Sequence, residues 1–293
     1  MDKNPRVSII IPCYNYGEFI DEAVDSVLNQ SYSNFEIIIV NDGSTDEYTN
    51  NLLADYQRPK TRIFQTKNQG VSAARNHGID RSVGEYILPL DPDDKIGTTY
   101  LEKAVKVLDN DPRVGIVYCK INLFGNEIGN GNWPPYSKEE MLYRNVIFNS
   151  AFFRKKDWLA AGKYKTDYLH AGEDWDLWLS LLELGVAVYQ IPEPLYWYRK
   201  HDNAQRSLEG AETARDIHTY ECLVHHHKKL YEDNLVTLLR TAFKLRLENA
   251  SLNKRLSMLI ADEEGQDRYK LIAFALRMKK YVPRFLLRMI LGK

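Results

Sequence analysis

The fold is decided by residues 35–46, which read FEIIIVNDGSTD. The β-branched run over Phe35–Val40 predicts a buried strand, and Asn41-Asp42-Gly43-Ser44 predicts the turn that ends it. A similar run, VSIIIP, occupies Val7–Pro12, and apolar residues at helical spacing over Glu18–Gln30 lie between the two. A strand, a helix and a second strand of this kind predict a crossover unit with parallel strands.

The same alternation continues to about residue 124. It predicts strands at Arg62–Thr66, Gly84–Leu90 and Val114–Phe124 and helices at Asp46–Tyr56, Val71–Arg81 and Thr98–Asp109. Strands that alternate with helices of about 10–15 residues indicate an α/β fold, in which helices cover both faces of a mainly parallel sheet.

After this point the pattern changes. Glycines and prolines over Asn122–Ser137 predict a loop, and Asp174–Leu184 has the apolar spacing of a helix. Short strands are predicted at Val186–Ile191 and Leu195–Tyr198. From about Ala204 glycine and proline almost vanish and long helices are predicted, so we expect a boundary between residues 1–203 and 204–293.

Composition excludes several classes of protein. The chain has 39 lysines and arginines against 40 aspartates and glutamates, so nothing favours a nucleic-acid partner. The three cysteines are far apart, which argues against a disulfide framework and for a cytoplasmic location. No run approaches the roughly 18 apolar residues of a membrane span, and Met1–Arg6 is not typical of a signal peptide.

The densest acidic motif is Asp91-Pro92-Asp93-Asp94, directly after a predicted strand. Ligands of open α/β sheets bind at the carboxyl ends of strands, and clustered carboxylates repel one another unless a cation lies among them. Carboxylates that share an ion with substrate phosphates are typical of Mg²⁺ or Mn²⁺ sites. The alternative is a turn with a helix cap, but the position in line with the other strand ends favours a metal site.

A second acidic pair, Glu173-Asp174, lies where a helix begins. A carboxylate there can cap free amides, and one of the two can also face a cleft as a general base. Arg199 and His201 follow the last short strand. Together with Glu173 they are candidate contacts for a diphosphate or acceptor, and ordinary surface charge is the alternative for Arg199 and His201. The chain has neither the dinucleotide-binding motif GxGxxG nor the P-loop motif GxxxxGK[ST], so a nucleotide would have to be bound by other residues.

Two features of the helical region concern association. Leu235–Leu259 carries a heptad pattern with one polar residue, Asn249, which predicts either pairing with a second copy or packing on the protein's own core. Arg268–Lys293 holds eight lysines and arginines and no acidic residue. Basic residues mixed with Phe and Leu suit an anionic membrane surface, and a docked helix pair is the alternative.

The motifs resemble, in order, those of family 2 glycosyltransferases with the GT-A fold. The matching stretches are VSIIIPCYN, FEIIIVNDGSTD, NQGVSAARNHGI, GEYILPLDPDD and GEDWDLWLSL. They span about the first 200 residues, and Asn41 stands where many members carry a second Asp. The resemblance implies a GT-A catalytic domain over 1–203, with a nucleotide-sugar part (1–95) and an acceptor part (96–203), followed by a helical extension.

Residue by residue, the resemblance implies a nucleotide-sugar site, a divalent cation (Mn²⁺ or Mg²⁺) and a general base. The nucleotide-sugar contacts would be Pro12, Tyr14, Asp42, Arg75 and Asp91; the metal ligands Asp93 and Asp91, with Asp94 beside them; and the base Asp174. The implied reaction is inverting transfer to a carbohydrate or lipid-linked acceptor in cell-surface polysaccharide biosynthesis. A UDP-sugar is favoured, because Asp42 can accept from a uracil N–H, but thymine offers the same donor and guanine also has one.

Two other classes of function compete with this one. A non-catalytic nucleotide-sugar-binding scaffold would keep the binding residues, but Asp174 beside an intact acidic motif favours an enzyme. A dinucleotide-dependent dehydrogenase is disfavoured by the missing glycine fingerprint. We therefore expect a cytoplasmic transferase that associates peripherally with the inner face of a membrane.

Overall fold

The computed structural model describes residues 4–131, 133–168, 171–201 and 209–261. The chain divides into two compact units, Met1–Gln205 and Arg206–Lys293. The strands of the first unit are β1 Val7–Cys13, β2 Phe35–Asn41, β3 Thr61–Gln65, β4 Tyr86–Pro89, β5 Lys95–Ile96, β6 Val114–Gly125, β7 Gly129–Asn130, β8 Phe152–Arg154 and β9 Ala187–Lys200. Its helices are α1 Gly17–Leu28, α2 Glu47–Ala54, α3 Val71–Arg81, α4 Tyr100–Asn110, α5 Lys138–Met141, α6 Lys155–Ala160 and α7 Glu173–Glu183.

The strands form one sheet in the order β3-β2-β1-β4-β8-β6-β9-β5, and β7 pairs with β6 outside this path. The first four strands are parallel, as are β6 and β9. Strand β8 runs antiparallel between β4 and β6, and β5 runs antiparallel to β9 at the edge. The predicted α/β fold, a mainly parallel sheet with flanking helices, is confirmed.

All residues of β1 and β2 are buried, so these two strands lie within the core. Helix α1 buries Ile20, Val24 and Val27, which recur at the spacing of one helical face. Helix α3 lies so close to the sheet that a Cβ on Gly78 would be 2.7 Å from Cγ2 of Ile10. Helices on both faces explain why these strands carry continuous apolar runs rather than an alternating pattern.

Three parts of the structure differ from the sequence expectation. The two short strands expected after α7 are one strand, β9, because its pairing with β6 shifts register between Cys119 and Ile121 and absorbs Pro192 and Pro194. The expected loop contains β7, which forms a hairpin with β6. Strands β5 and β8 and helices α5 and α6 are too short, at two to six residues, to produce a periodic pattern.

The second unit is helical in its described part, with α8 Glu209–His226, α9 Lys228–Asp233 and α10 Leu235–Ala261. Helix α10 contains the whole heptad pattern, and Leu239, Phe243 and Leu247 are exposed on it. The basic segment 268–293 lies outside the described residues. No helix in the described ranges combines the length and apolar character needed to cross a bilayer.

Candidate functional site

The polar segments that follow β1, β2 and β4 meet at one edge of the sheet. Parallel pairing aligns the strand ends, so the Asp42 amide donates to the Cys13 carbonyl and the Leu90 amide to the Ile10 carbonyl, both at 2.9 Å. Asp42 and the acidic residues after Leu90 therefore start from adjacent positions. This is the edge at which ligands of open α/β sheets bind.

Asp42 organises the loop that leads into α3. Its buried carboxylate accepts hydrogen bonds from Oγ1 of Thr66 (2.9 Å) and from the amides of Gly70 (2.8 Å) and Gln69 (3.2 Å). A cavity of about 310 Å³ lies beside it, and Lys67 and His77 also line that cavity. The volume is at the lower end of the range of small-ligand sites.

Asn41 supports the turn that carries Asp42. The Oδ1 atom of Asn41 accepts from the Ser44 amide at 3.0 Å, and its Nδ2 atom donates to Asn50 Oδ1 at 3.1 Å. An aspartate could accept the first bond but could not donate the second. The asparagine at this position is therefore explained by its partner in α2.

Pro12 and Tyr14 differ in exposure. Pro12 is buried in β1 opposite Val40, whereas the Tyr14 side chain is 41% exposed. The next residue, Asn15, has a left-handed φ of 60°, and its Oδ1 accepts from the Thr45 amide at 2.7 Å. This turn leaves the ring of Tyr14 accessible at the edge of the sheet.

The three carboxylates of the acidic motif have different environments. Asp94 is buried, and its oxygens accept hydrogen bonds from the Tyr196 hydroxyl and from the Arg199 amide at 2.8 Å. The side chains of Asp91 and Asp93 remain 31% and 19% exposed. Asp91 and Asp93 are therefore the accessible pair, and Asp94 lies beneath them.

The accessible pair carries concentrated negative charge. Burial, and then the charge of Asp91, raise the pKa of Asp93, while His201, with Nε2 2.9 Å from Asp93 Oδ2, opposes this effect. Within the described ranges, no group of three or more His, Cys, Asp and Glu side chains could hold a metal ion. Asp91 and Asp93 nevertheless fit a hard divalent cation, which binds one or two carboxylates and completes its shell with phosphate oxygens and water.

Arg199 lies beside this pair, and its guanidinium has several partners. The guanidinium carbon, Cζ, is 4.8 Å from the ring centre of Phe19 and 4.3 Å from that of Phe124. Its Nε atom donates to the Asp93 carbonyl at 2.8 Å, and Nη2 is 3.0 Å from the Glu22 carboxylate. These contacts fix the end of β9 against the acidic motif.

Arg75 joins the two acidic segments of the site. The residue is buried; its Nη2 atom donates to Asp91 Oδ1 at 2.8 Å and its Nη1 atom to Glu173 Oε1 at 2.6 Å. The resemblance places Arg75 near a base or diphosphate, and the structure places its guanidinium between these carboxylates. A planar guanidinium can bind two carboxylates at once in this way.

Asp174 lies in the first turn of α7, where the left-handed Gly172 (φ 107°) precedes the helix. Its Oδ1 accepts from the Trp175 amide at 2.7 Å and its Oδ2 from Nδ2 of Asn145 at 3.0 Å. Burial, and then the charge of Glu173, raise the pKa of Asp174 to about 7, against the opposing charge of Arg75. A carboxylate with this pKa is suited to accept a proton near neutral pH.

Sequence reasoning missed three residues that contact the site carboxylates. Asn145 donates to Asp174, Asn149 donates to Asp91 at 3.1 Å, and Tyr196 donates to Asp94. The two asparagines flank an apolar Val-Ile-Phe run, and a polar side chain in such a run requires a hydrogen-bond partner. That signal could have identified them, whereas nothing local distinguishes Tyr196 from the other tyrosines of β9.

Comparisons with known proteins show which family the chain resembles. The family model for glycosyl transferase family 2 matches residues 8–164, which is more than half of the chain. The hyaluronan synthase of Pasteurella multocida is 33% identical over 192 residues, covering 63% of this chain and 19% of that protein. The putative teichuronic acid biosynthesis glycosyltransferase TuaG of Bacillus subtilis is 31% identical over 211 residues, covering 68% of this chain and 81% of that protein.

Among solved structures, S. aureus TarS 1–349 in complex with UDP-GlcNAc has the same fold, with a TM-score of 0.63 and 17% identity. The match covers 75% of this chain and 66% of that one. The chain spans only about a fifth to a quarter of the length of the hyaluronan and chondroitin synthases that it matches. With its motifs, sheet and family match in agreement, the chain belongs to glycosyl transferase family 2.

Proposed function

We propose that this chain is a metal-dependent, inverting glycosyltransferase that transfers a sugar from a nucleoside-diphosphate donor to a carbohydrate or lipid-linked acceptor. The single observation that carries the proposal is the contact of Arg75 with both Asp91 and Glu173. One guanidinium thereby brings the acidic motif close to the start of α7, where Asp174 lies. A donor-side carboxylate and a candidate base within one site are what a single displacement requires.

The donor nucleotide is proposed to occupy the cavity beside Asp42. The ordered loop from Thr66 to Gly70 forms one wall, and Tyr14 offers an accessible ring at the same edge of the sheet. A uracil N–H can donate to a carboxylate oxygen of Asp42, which favours a UDP-sugar. The neighbouring TarS structure was solved with UDP-GlcNAc, which supports testing that donor first.

Asp91 and Asp93 are the residues proposed to hold the divalent cation, with the buried Asp94 fixing the loop beneath them. When bound, the cation would neutralise the negative charge of the leaving diphosphate. The chain's own contribution is to hold the two carboxylates together. Arg75 and Asn149 fix Asp91, and the Arg199 guanidinium binds the Asp93 carbonyl.

In the proposed reaction, Asp174 accepts the proton of the acceptor hydroxyl while the acceptor oxygen forms a bond to the anomeric carbon. The bond from that carbon to the diphosphate oxygen breaks, and the leaving diphosphate keeps the electron pair. One displacement from the opposite face inverts the configuration. General-base assistance of this kind contributes about 10²–10⁴ in rate.

The names of the relatives support a place in polysaccharide synthesis, since hyaluronan, chondroitin and teichuronic acid appear among them. We extend this context to the chain, with residues 1–95 binding the donor, 96–203 binding the acceptor and 204–293 serving association. Segment 268–293 is proposed to bind an anionic membrane surface, and Leu235–Leu259 to pair with a second copy. Equal flotation with anionic and neutral liposomes would exclude the membrane proposal. A monomer in analytical sedimentation would exclude the pairing proposal.

Release of nucleoside diphosphate tests the catalytic proposal. The full chain is incubated with Mn²⁺ and a panel of nucleotide sugars, with water or short oligosaccharides as acceptors, beside an Asp174→Asn variant. We expect one donor to release diphosphate, and the variant to release it at least about a hundredfold more slowly. Tight UDP binding without release from any donor would instead support a non-catalytic scaffold.

A further inference from the structure

The segment Met141–Ser150 is fixed across the start of α7. Two tryptophans of that helix donate from their indoles to backbone carbonyls of the segment, Trp175 to Met141 at 2.7 Å and Trp178 to Ile147 at 3.0 Å. Both tryptophans are buried. The segment is therefore held in one position relative to the acidic pair at the start of α7, and Asn145 lies between its two anchored carbonyls.

The side-chain amide of Asn145 has only one orientation that satisfies both of its contacts. Its Oδ1 atom is 3.2 Å from the amide of Ile147, which can only donate, so Oδ1 must be the acceptor. Its Nδ2 atom then faces Asp174 Oδ2 at 3.0 Å as a donor. Since Trp175 N–H binds the other oxygen at 2.7 Å, both oxygens of the Asp174 carboxylate have fixed donors.

We propose that Asn145 is a positioning residue that orients the carboxylate of Asp174 and favours its ionised form through this hydrogen bond. The inference rests on the proposed function, in which Asp174 is the general base. It adds a residue outside the motifs of the resemblance, from a segment where the sequence predicted neither a helix nor a strand.

Several charged and titratable groups face Asp174, from different elements. Glu173 in α7 disfavours its ionised form, and Arg75 in α3 favours that form. Tyr164 follows α6; burial, and then the charge of Asp174, raise the pKa of its hydroxyl, while the charge of Arg75 lowers it. Asn145 is neutral, so replacing it removes a hydrogen bond without changing the net charge of the site.

Unfolding experiments test the contact without any substrate. The full chain, Asn145→Leu, Asp174→Asn and the double variant are unfolded in urea at pH 5.5 and pH 8.5. The raised pKa of Asp174, about 7, lies between the two pH values, so Asn145→Leu should lower the midpoint more at pH 8.5, where the carboxylate is expected to be ionised. The extra loss should vanish when Asp174 is already asparagine.

Activity gives the second measurement. On the acid side of the kcat/KM profile, Asn145→Leu should move the midpoint up by roughly one to two pH units, because a hydrogen bond to a charged group has been removed. Asn145→Asp should move it further, since a like charge replaces a donor. Asn110→Leu, an exposed asparagine at the end of α4, is the matched control and should leave profile and midpoints unchanged.

The two measurements separate the possible failures. The inference is overturned if Asn145→Leu lowers the urea midpoint equally at both pH values and equally in the parent and in Asp174→Asn. If the leucine variant does not fold, Asn145→Ala repeats the test. An Asp174→Asn variant with full transfer activity overturns the proposed base. In that case, comparing the urea midpoints of the single and double variants at the two pH values still reports whether the hydrogen bond favours the ionised carboxylate.

Discussion

The guanidinium of Arg75 donates a 2.6 Å hydrogen bond to Glu173, a residue 98 positions further along the chain. The pair joins α3 to the first turn of α7. Because the same guanidinium also binds Asp91, one buried cation links the segment after β4 to the segment that carries Asp174. The geometry of the candidate site therefore depends on a residue that need not touch either substrate.

Replacing Arg75 with methionine should destabilise the protein by about 3–5 kcal/mol, because the carboxylates of Asp91 and Glu173 lose their shared partner. Urea unfolding followed by tryptophan fluorescence measures this, since all five tryptophans lie in the first unit. Arg113→Met, at a side chain 84% exposed, is the matched control and should stay within about 0.5 kcal/mol. An equal, small effect of both substitutions would contradict the prediction.

Asp174→Asn should lower kcat/KM by about 10²–10⁴, because an amide cannot accept the acceptor's proton. In the parent protein, kcat/KM should fall about tenfold per pH unit below a pH of about 7, where this carboxyl becomes protonated. A pH series with the active donor measures both effects. Asp55→Asn, exposed at the end of α2, is the control. A profile that stays flat down to pH 5 would refute the assignment.

The same carboxyl should make stability depend on pH. Its pKa is raised from 3.8 to about 7 on folding, so its contribution to stability is fully present below about pH 4 and is lost as the pH rises to about 7. Asp174→Asn removes this loss and should be more stable than the parent at pH 8, by about 1 kcal/mol or more. Urea midpoints at pH 4.5 and pH 8 measure the difference, and a variant less stable than the parent at pH 8 argues against it.

Removing the divalent cation should abolish transfer, and adding Mn²⁺ should restore it. With UDP and Mn²⁺ at about a hundredfold excess over the dissociation constant, binding should stabilise the parent by about 2.7 kcal/mol. Asp93→Asn should lose most of the rise in Tm, since one of the two accessible carboxylates is neutralised. Asp55→Asn should keep the full rise. Activity that persists in EDTA would mean that the reaction does not require the ion.

Tyr196→Phe should destabilise the protein by about 1–3 kcal/mol, because the buried Asp94 loses the hydroxyl that donates to it. Tyr189→Phe is a matched control on the same strand, since the Tyr189 side chain is 43% exposed. Urea unfolding of the two variants makes the comparison. Equal midpoints would show that the hydrogen bond to Asp94 adds nothing to stability.

The parts of the fold that are periodic in sequence were predictable. Long apolar runs and long stretches of helical spacing give a recognisable pattern. The structure confirms the elements predicted in this way, which include β1, β2, β6, α3 and α7. Strand β8 escaped prediction because three residues carry no period. Its place between β4 and β6 is set by pairing with strands more than 25 residues away in sequence.

The residues of the candidate site also fall into those that the sequence could place and those that it could not. Asp42 and Asp91 could be placed because strand ends of a parallel sheet share an edge, and Asp174 because it opens a helix. Their assigned roles stay predictions. The apolar run beside Asn145 marks that residue, but it does not identify Asp174, 29 positions away, as its partner. Tyr196 could not be placed at all, since its contact with Asp94 joins residues 102 positions apart. No local pattern encodes such a contact.

The pairing of β5 with β9 has a consequence for synthesis on the ribosome. Lys95 and Ile96 emerge early, yet their partners Trp197 and Tyr196 come about a hundred residues later. The Arg199 amide, which binds Asp94, emerges later still. A nascent chain that ends between α7 and β9 already contains Asp91, Asp93 and Asp174 but lacks the strand that closes the sheet beside them. The candidate site is thus completed by β9, and translation sets the earliest moment at which its geometry can form.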